Sequence, residues 1–321
     1  MKSILLFTIL SFFTITNGFS QEEPIILKTL KGEIKGTLTL PKNKNNIPVV
    51  LIIAGSGPTD RNGNSPLLGV NTNSYKLIAE KLQKNGIASV RFDKRGIGES
   101  KDTTFKEKNM RFENYIDDVK AWIEFLSKDN RFNKIIIAGH SEGSLIGMVA
   151  SVDNPKVNAY ISISGAARSI DEILKEQLAL QPQSLKDLAF PMMDTLKKGD
   201  TLTNVPKYLY SLFRPSIQPY MISWMKYNPQ EEIKKITVPV LILQGSTDIQ
   251  VSESEANLLS TANPAAKKII IKNMNHVLKD CDFIDKQKQM TTIYSNPKLP
   301  LNKIFVKEMI SFIKELKYTE S

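Results

Sequence analysis

The sequence predicts an α/β fold, a doubly wound and mostly parallel sheet of eight strands with one inserted helical segment. Short apolar runs alternate with amphipathic stretches along the chain from residue 25 onward. The last six runs are almost continuously apolar, which is typical of parallel strands covered by helices on both faces. A length of 321 residues and a hydrophobic content of 41% are sufficient for one large core.

The sequence predicts eight strands and four longer helices. The predicted strands are residues 25–30, 33–40, 48–55, 87–92, 133–139, 157–164, 238–245 and 267–273. The predicted helices, in which apolar residues follow a helical period, are residues 74–86, 112–129, 252–263 and 301–317. Two initial strands followed by repeated strand and helix units indicate that the later strands run parallel.

The connection between residues 165 and 237 interrupts this alternation, because it contains no convincing strand. Its pattern is helical instead, and a connection of this length needs secondary structure of its own. We therefore expect a helical lid at residues 166–236, inserted over the sheet edge at which active sites form.

The first 20 residues have the features of a secretory signal peptide. A charged start, Met1-Lys2, precedes an apolar run of about 12 residues, and small residues follow near Ser20. The run is too short to cross a bilayer, so we expect cleavage near Ser20 or Gln21 and no stable membrane anchor. The mature domain is then residues 21–321 of an exported protein, periplasmic or secreted.

Composition argues against several classes of partner. The net charge is +10, but the lysines are scattered and form no arginine-rich or aromatic-interleaved patch, so we expect no nucleic-acid binding. Two histidines and one cysteine offer no metal-ligand spacing, and no organic cofactor is indicated. The lone Cys281 cannot form an intramolecular disulfide.

The segment "IIIAGHSEGSLIG" contains Gly139, Ser141 and Gly143 in the pattern Gly-x-Ser-x-Gly. By itself this match is a weak signal, because glycine and serine are common residues. A serine hydroxyl is a poor nucleophile at neutral pH, so a catalytic role for Ser141 requires a base beside it.

The two histidines are the candidates for that base. His140 adjoins Ser141 in the chain, and its side chain would have to double back to reach the hydroxyl. His276 follows a predicted strand and therefore lies at the same sheet edge as the residues that end the other parallel strands. We expect His276 to be the base and His140 to be a spacer.

The acid that orients the base is predicted to be Asp248, which directly follows the strand at 238–245. Asp280 and Asp282 compete for this role, but they follow no strand. The order Ser141, Asp248, His276, with each residue after a predicted strand, is the one expected of an α/β-hydrolase.

At these positions the sequence resembles the α/β-hydrolase superfamily, in particular bacterial esterase-like members near the serine aminopeptidase branch. The matching segments are "LIIAGSGPTDRNGNSP", "RFDKRGIGES", "GHSEGS", "LQGSTDIQV" and "NMNHVL", and the resemblance extends over about residues 25–317. The resemblance implies an oxyanion hole made of two backbone N–H groups, those of Glu142 and Ser56, with Gly57 as the alternative to Ser56. Many relatives carry His-Gly-x where this chain has Ala54-Gly55-Ser56, which leaves open how that loop is held.

Aromatic residues of the predicted lid are candidates for a substrate pocket, namely Phe213, Tyr220 and Trp224. Aromatic side chains in helical segments also serve as packing anchors, so both roles remain open. Glu142 and His140 flank the nucleophile and either shape the turn or contact substrate.

These observations predict an exported serine hydrolase that cleaves small acyl esters through a covalent acyl-enzyme intermediate. Its expected partner is a small-molecule ester, and the sequence does not determine the oligomeric state. A peptidase or thioesterase with the same triad is one alternative. A catalytically silent binding module with the same fold is the other.

Overall fold

The computed structural model describes residues 21–101 and 105–316. The predicted signal peptide, residues 1–20, lies outside the described residues. Within the described ranges, no helix is both long enough and apolar enough to cross a membrane.

Residues 21–101 and 105–316 contain ten strands, which form one large sheet and one small hairpin. They are β1 (Gln21–Thr29), β2 (Gly32–Leu40), β3 (Ile47–Ile53), β4 (Asn64–Ser65), β5 (Val70–Asn71), β6 (Ala88–Phe92), β7 (Phe132–His140), β8 (Ala159–Ile163), β9 (Val240–Gly245) and β10 (Lys267–Ile271). The large sheet has the order β1-β2-β6-β3-β7-β8-β9-β10, and β4 pairs with β5. Strand β2 is antiparallel to both of its neighbours, and the other pairs are parallel. The predicted eight-stranded, mostly parallel sheet is confirmed, whereas the short hairpin was not predicted.

Eleven α-helices lie in the described residues. They are α1 (Ser74–Lys84), α2 (Phe112–Ser127), α3 (Glu142–Ser151), α4 (Ile170–Gln177), α5 (Gln183–Lys197), α6 (Tyr210–Phe213), α7 (Gln218–Trp224), α8 (Pro229–Ile233), α9 (Glu253–Ala262), α10 (Lys286–Gln289) and α11 (Lys303–Glu315). Two separate apolar clusters show that helices cover both faces of the sheet. Val49 and Leu51 of β3 face the cluster that contains α2 and α3, whereas Val50 faces the cluster that contains α1 and α11.

Five helices, α4 to α8, occupy the connection between β8 and β9. Part of this connection packs on the helical layer of the core, since the Trp224 ring stacks on Phe112 of α2 with centroids 5.5 Å apart. The end of α4 instead reaches the carboxyl edge of the sheet, where Gln177 and Leu180 line a cavity of about 850 Å³. The role of the connection as a lid stays a prediction.

Candidate active site

Ser141 lies at a sharp turn between β7 and α3. Its backbone has φ 54° and ψ −121°, a conformation that non-glycine residues rarely adopt. A hydrogen bond of 2.9 Å from its N–H to the Ile163 carbonyl ties the turn to the neighbouring strand β8. Backbone strain of this kind persists where the surrounding fold enforces it, and it is concentrated at functional sites.

The two glycines of the motif are required by close packing. A Cβ atom at Gly139 would lie 2.1 Å from the Gly143 carbonyl oxygen, and one at Gly143 would lie 2.4 Å from the Ile53 carbonyl oxygen. No side chain fits at either distance, because backbone atoms cannot move aside. The Gly-x-Ser-x-Gly match therefore has a steric cause in this fold.

His276 and Asp248 meet at the carboxyl edge of the sheet, in the loops after β10 and β9. His276 Nδ1 and Asp248 Oδ2 are 2.8 Å apart, and both side chains are almost fully buried. The other Asp248 oxygen, Oδ1, accepts hydrogen bonds from the Gln250 and Val251 N–H groups at 2.8 and 2.9 Å.

These contacts keep Asp248 ionised. Burial by itself raises the pKa of Asp248, but the charge of His276 and the hydrogen bonds to the carboxylate outweigh burial. The pKa of Asp248 therefore lies below its usual value of 3.8. A carboxylate that stays charged can accept the Nδ1 proton of His276 and stabilise the imidazolium.

One cavity of about 850 Å³ is lined by Ser141, His276 and Asp248 together. The fold thus brings the three predicted triad residues to a common cleft. Within residues 21–101 and 105–316, the Ser141 hydroxyl has no hydrogen-bond partner. It is therefore not held in the ground state by another side chain.

The backbone near Ser141 offers the two N–H groups predicted for an oxyanion hole. Glu142 is the first residue of α3, where N–H groups lack intrahelical partners and the helix dipole favours negative charge. Ser56 lines the cavity, whereas its alternative Gly57 does not. Among the described residues, the N–H groups of Glu142 and Ser56 donate no hydrogen bond.

The side chain of Glu142 lies outside the cavity, in a buried ion pair with Lys94. Tyr220 donates its hydroxyl to the same carboxylate. Lys94 also donates a 2.7 Å hydrogen bond to the Gly55 carbonyl, so the pair holds the loop that contains Ser56. Lys94 follows β6 in the "RFDKRG" segment, where no sequence pattern pointed to this contact.

His140 is hydrogen-bonded away from Ser141. Its Nδ1 lies 2.8 Å from the Tyr75 hydroxyl, and its Nε2 lies 2.8 Å from the His276 carbonyl oxygen. A carbonyl only accepts, so Nε2 carries the proton and Nδ1 accepts from Tyr75. Burial, and next the charge of His276, lower the pKa of His140 to about 3. His140 therefore stays neutral at physiological pH and has no free nitrogen with which to activate Ser141.

The neutral His140 makes stability depend on pH. Its pKa is about 3 when folded and 6.5 when unperturbed, so its contribution is complete above pH 6.5 and is lost as the pH falls toward 3. We expect the free energy of unfolding to fall by about 2 kcal/mol more in the wild type than in His140→Asn between about pH 7 and about pH 5. Urea unfolding at the two pH values measures this difference. Equal pH dependence of the two proteins contradicts a buried, neutral His140.

The three lid aromatics, for which the sequence left both pocket lining and packing open, do not line the cavity that contains Ser141. Phe213, Tyr220 and Trp224 are buried and none of them lines the cavity. Tyr220 and Trp224 pack against Phe112, because the apolar side of α7 covers α2. Aliphatic and aromatic side chains from separate loops line the cavity instead: Leu68, Val70, Leu180, Ile249, Ile284, Met290 and Tyr294.

Among the described residues, no group of three or more histidine, cysteine, aspartate or glutamate side chains could hold a metal ion.

This chain is similar to known proteins in sequence and in fold. The profile of the family described as "Serine aminopeptidase, S33" matches residues 68–280. Esterase EstD of Thermotoga maritima is 26% identical over 80% of this chain, and the match spans 60% of that protein's length. The chain thus spans less than two thirds of the curated relative that it matches.

Solved structures share the fold. Est1E from Butyrivibrio proteoclasticus matches 92% of this chain and 98% of its own, with 17% identity and a TM-score of 0.58. The dienelactone hydrolase from Anabaena variabilis matches 92% of this chain and 98% of its own, with 15% identity and a TM-score of 0.53. The strand order, the strained serine and the family match agree, and the chain belongs to the serine aminopeptidase S33 family of α/β hydrolases.

Proposed function

We propose that this protein is a serine hydrolase that cleaves carboxylic esters through a covalent acyl-enzyme intermediate. The observation that carries the proposal is a strained serine that shares a cavity with a buried His276–Asp248 pair at 2.8 Å. A serine, an imidazole and a carboxylate arranged in this way are the groups that acyl transfer requires.

The reaction follows from the roles of these groups. Ser141 Oγ attacks the ester carbonyl while His276 takes the hydroxyl proton, and the N–H groups of Glu142 and Ser56 bind the developing oxyanion. The imidazolium then protonates the leaving alkoxide, which departs as the alcohol. Water attacks the acyl-enzyme in the same manner and releases the acid and free Ser141.

The charges in the cavity favour an ester over a peptide with a free amino terminus. An aminopeptidase must hold the substrate's ammonium group, which calls for an unpaired carboxylate. The carboxylates among the described lining residues are those of Asp248, which pairs with His276, and Glu176, which pairs with Arg168. The relative EstD is named an esterase, which agrees with this choice.

Labelling with a fluorophosphonate probe tests the proposal directly. We expect one equivalent of probe to attach to Ser141, located by mass spectrometry of the labelled peptide, and hydrolysis of p-nitrophenyl butyrate to stop in parallel. Heat-denatured protein is the control for nonspecific labelling. A folded protein that hydrolyses the ester without labelling at Ser141 contradicts the assignment.

The apolar wall of the cavity predicts a preference for acyl groups longer than acetyl. It includes the buried Leu278 and the exposed Leu180 and Ile284, whose relative exposures are 97% and 75%. We expect kcat/KM for p-nitrophenyl esters to rise about three- to fourfold per methylene from acetyl to hexanoyl, because each buried methylene contributes about 0.8 kcal/mol.

Substitution of the exposed Leu180 tests the location of this acyl site. Leu180→Ser should reduce the preference for hexanoyl over acetyl, whereas Leu30→Ser, at an exposed residue outside the cavity, should leave it unchanged. An activity that falls with every added methylene shows that this wall does not bind the acyl chain.

We also propose that the protein is exported, on the basis of the signal-peptide features of residues 1–20. Amino-terminal sequencing of the protein secreted by its host should give a start close to Gln21. An intact Met1 on the active protein excludes cleavage.

A further inference from the structure

We propose that Tyr75 and His140 are positioning residues that hold the oxyanion loop and the base loop in register on either side of Ser141. The oxyanion loop is defined as residues 54–57 and the base loop as residues 275–279. This inference rests on the proposed function, because it assigns roles within the same reaction.

A continuous chain of three hydrogen bonds joins the two loops. The Gly55 N–H donates to the Tyr75 hydroxyl at 3.1 Å, and that hydroxyl donates to His140 Nδ1 at 2.8 Å. His140 Nε2 then donates to the His276 carbonyl at 2.8 Å. The chain therefore starts in the oxyanion loop, passes beside the nucleophile and ends on the backbone of the base itself.

Each hydrogen bond in this chain can run in only one direction, from a fixed donor to a fixed acceptor. Burial raises the pKa of Tyr75, so its hydroxyl keeps the proton that it donates. The neutral imidazole has one donor and one acceptor, and both are used. Tyr75 and His140 are 4% and 7% exposed, so solvent competes little for these bonds. If one of these hydrogen bonds reversed, the neighbouring bonds would be lost. The chain therefore holds the two loops in a single arrangement.

The Gly55–Ser56 peptide unit is held on its other side by Lys94. Lys94 Nζ donates to the Gly55 carbonyl at 2.7 Å. In a trans peptide the carbonyl of one residue and the N–H of the next point in opposite directions. The contact from Lys94 thus sets the direction of the Ser56 N–H, while Tyr75 holds the preceding N–H of Gly55.

Space next to the nucleophile is limited, so a small shift of this loop matters. A Cβ atom at Gly55 would lie 3.2 Å from Ser141 Cβ and 3.4 Å from His140 Nδ1. An oxyanion-hole donor acts only when it is about 2.7–3.1 Å from the oxyanion. Releasing the oxyanion loop from Tyr75 would move the Ser56 N–H away from the oxyanion. Binding of the transition state would therefore weaken more than binding of the substrate.

The first test is Tyr75→Phe, which removes the hydroxyl and keeps the ring. We expect kcat for p-nitrophenyl butyrate to fall about 10- to 100-fold, below the loss for deleting a donor itself, with KM changed less than about twofold. Tyr160→Phe is the matched control. It also removes a fully buried hydroxyl, hydrogen-bonded to Ser144, but Tyr160 does not line the cavity.

Two substitutions of His140 separate the ends of the chain. Asparagine retains an acceptor near the Nδ1 position, whereas glutamine retains a donor near the Nε2 position. His140→Gln should therefore resemble Tyr75→Phe. His140→Asn should instead change the pH profile of kcat/KM, because it frees the backbone of His276. Both substitutions remove the hydrogen bond between Tyr75 and His140. The fold-decrease in kcat of the double variant Tyr75→Phe/His140→Gln should therefore be no more than about twice that of either single variant.

A transition-state analogue provides a readout that loss of stability would not move. The hemiketal oxygen of an alkyl trifluoromethyl ketone occupies the oxyanion hole, so its Ki should rise in proportion to the fall in kcat/KM across the variants. A fall in kcat with unchanged Ki, or wild-type kcat in folded Tyr75→Phe, overturns the positioning role. Failure of the proposed function gives a different result, namely wild-type activity in Ser141→Ala.

Discussion

Ser141→Ala is expected to lower kcat for p-nitrophenyl butyrate by roughly 10⁵- to 10⁶-fold, because the covalent route is lost when the attacking oxygen is removed. The residual rate would reflect the oxyanion hole and substrate binding alone. The substitution removes one atom, and the Ser141 hydroxyl has no hydrogen-bond partner among the described residues, so stability should change little. Single-turnover and steady-state assays measure the rates.

The control for this variant is Ser252→Ala. Ser252 also lines the cavity, but its hydroxyl bonds to Ser254 at the start of α9 rather than to the catalytic groups. Ser252→Ala should retain kcat within about twofold, since it leaves the reacting groups in place. Wild-type turnover by a folded Ser141→Ala protein would disprove the proposed nucleophile.

Asp248→Asn is expected to cost about 10⁴-fold in kcat at neutral pH. The amide keeps the shape of the carboxylate, but it does not stabilise the imidazolium and it favours the wrong tautomer of His276. Because the pKa of Asp248 lies below 3.8, the wild-type carboxylate is charged throughout the neutral range. The ionisation of Asp248 therefore does not change kcat with pH in the neutral range. The loss of kcat in Asp248→Asn should be the same across that range.

Asp280→Asn is the matched control, since Asp280 was a competing candidate for the acid. Its Oδ1 accepts a 2.6 Å hydrogen bond from Asn302, and the His276 Nδ1 is bonded to Asp248. We expect activity close to that of the wild type, with a modest loss of stability at most. A larger loss of activity in Asp280→Asn than in Asp248→Asn would reassign the acid.

The sheet was predictable because its signal is local. Runs such as "NKIIIAG" contain the apolar, β-branched residues that a strand covered on both faces needs, and β7 spans Phe132–His140. The placement of Ser141, Asp248 and His276 was predictable for the same reason. Parallel strands end at a common edge, so residues that directly follow them converge whatever the intervening chain does.

Contacts between distant, individually unremarkable residues were not predictable. Tyr75 lies 65 positions from His140, and Lys94 lies 48 positions from Glu142. No periodicity distinguishes these residues from ordinary helix and loop positions. The surroundings of the lid aromatics were left open for a related reason, since hydrophobicity predicts burial but does not show which surface a side chain is buried against.

By itself, the sequence determined the eight strands of the large sheet, the longer helices that cover it, and three residues at one sheet edge. These depend on local pattern and on the geometry shared by all parallel sheets. Only the tertiary structure showed that both nitrogens of His140 are engaged, that Tyr75 and Lys94 contact the backbone of Gly55, and which side chains form the cavity wall. Those features depend on directional hydrogen bonds and burial between segments that meet only after the chain has folded.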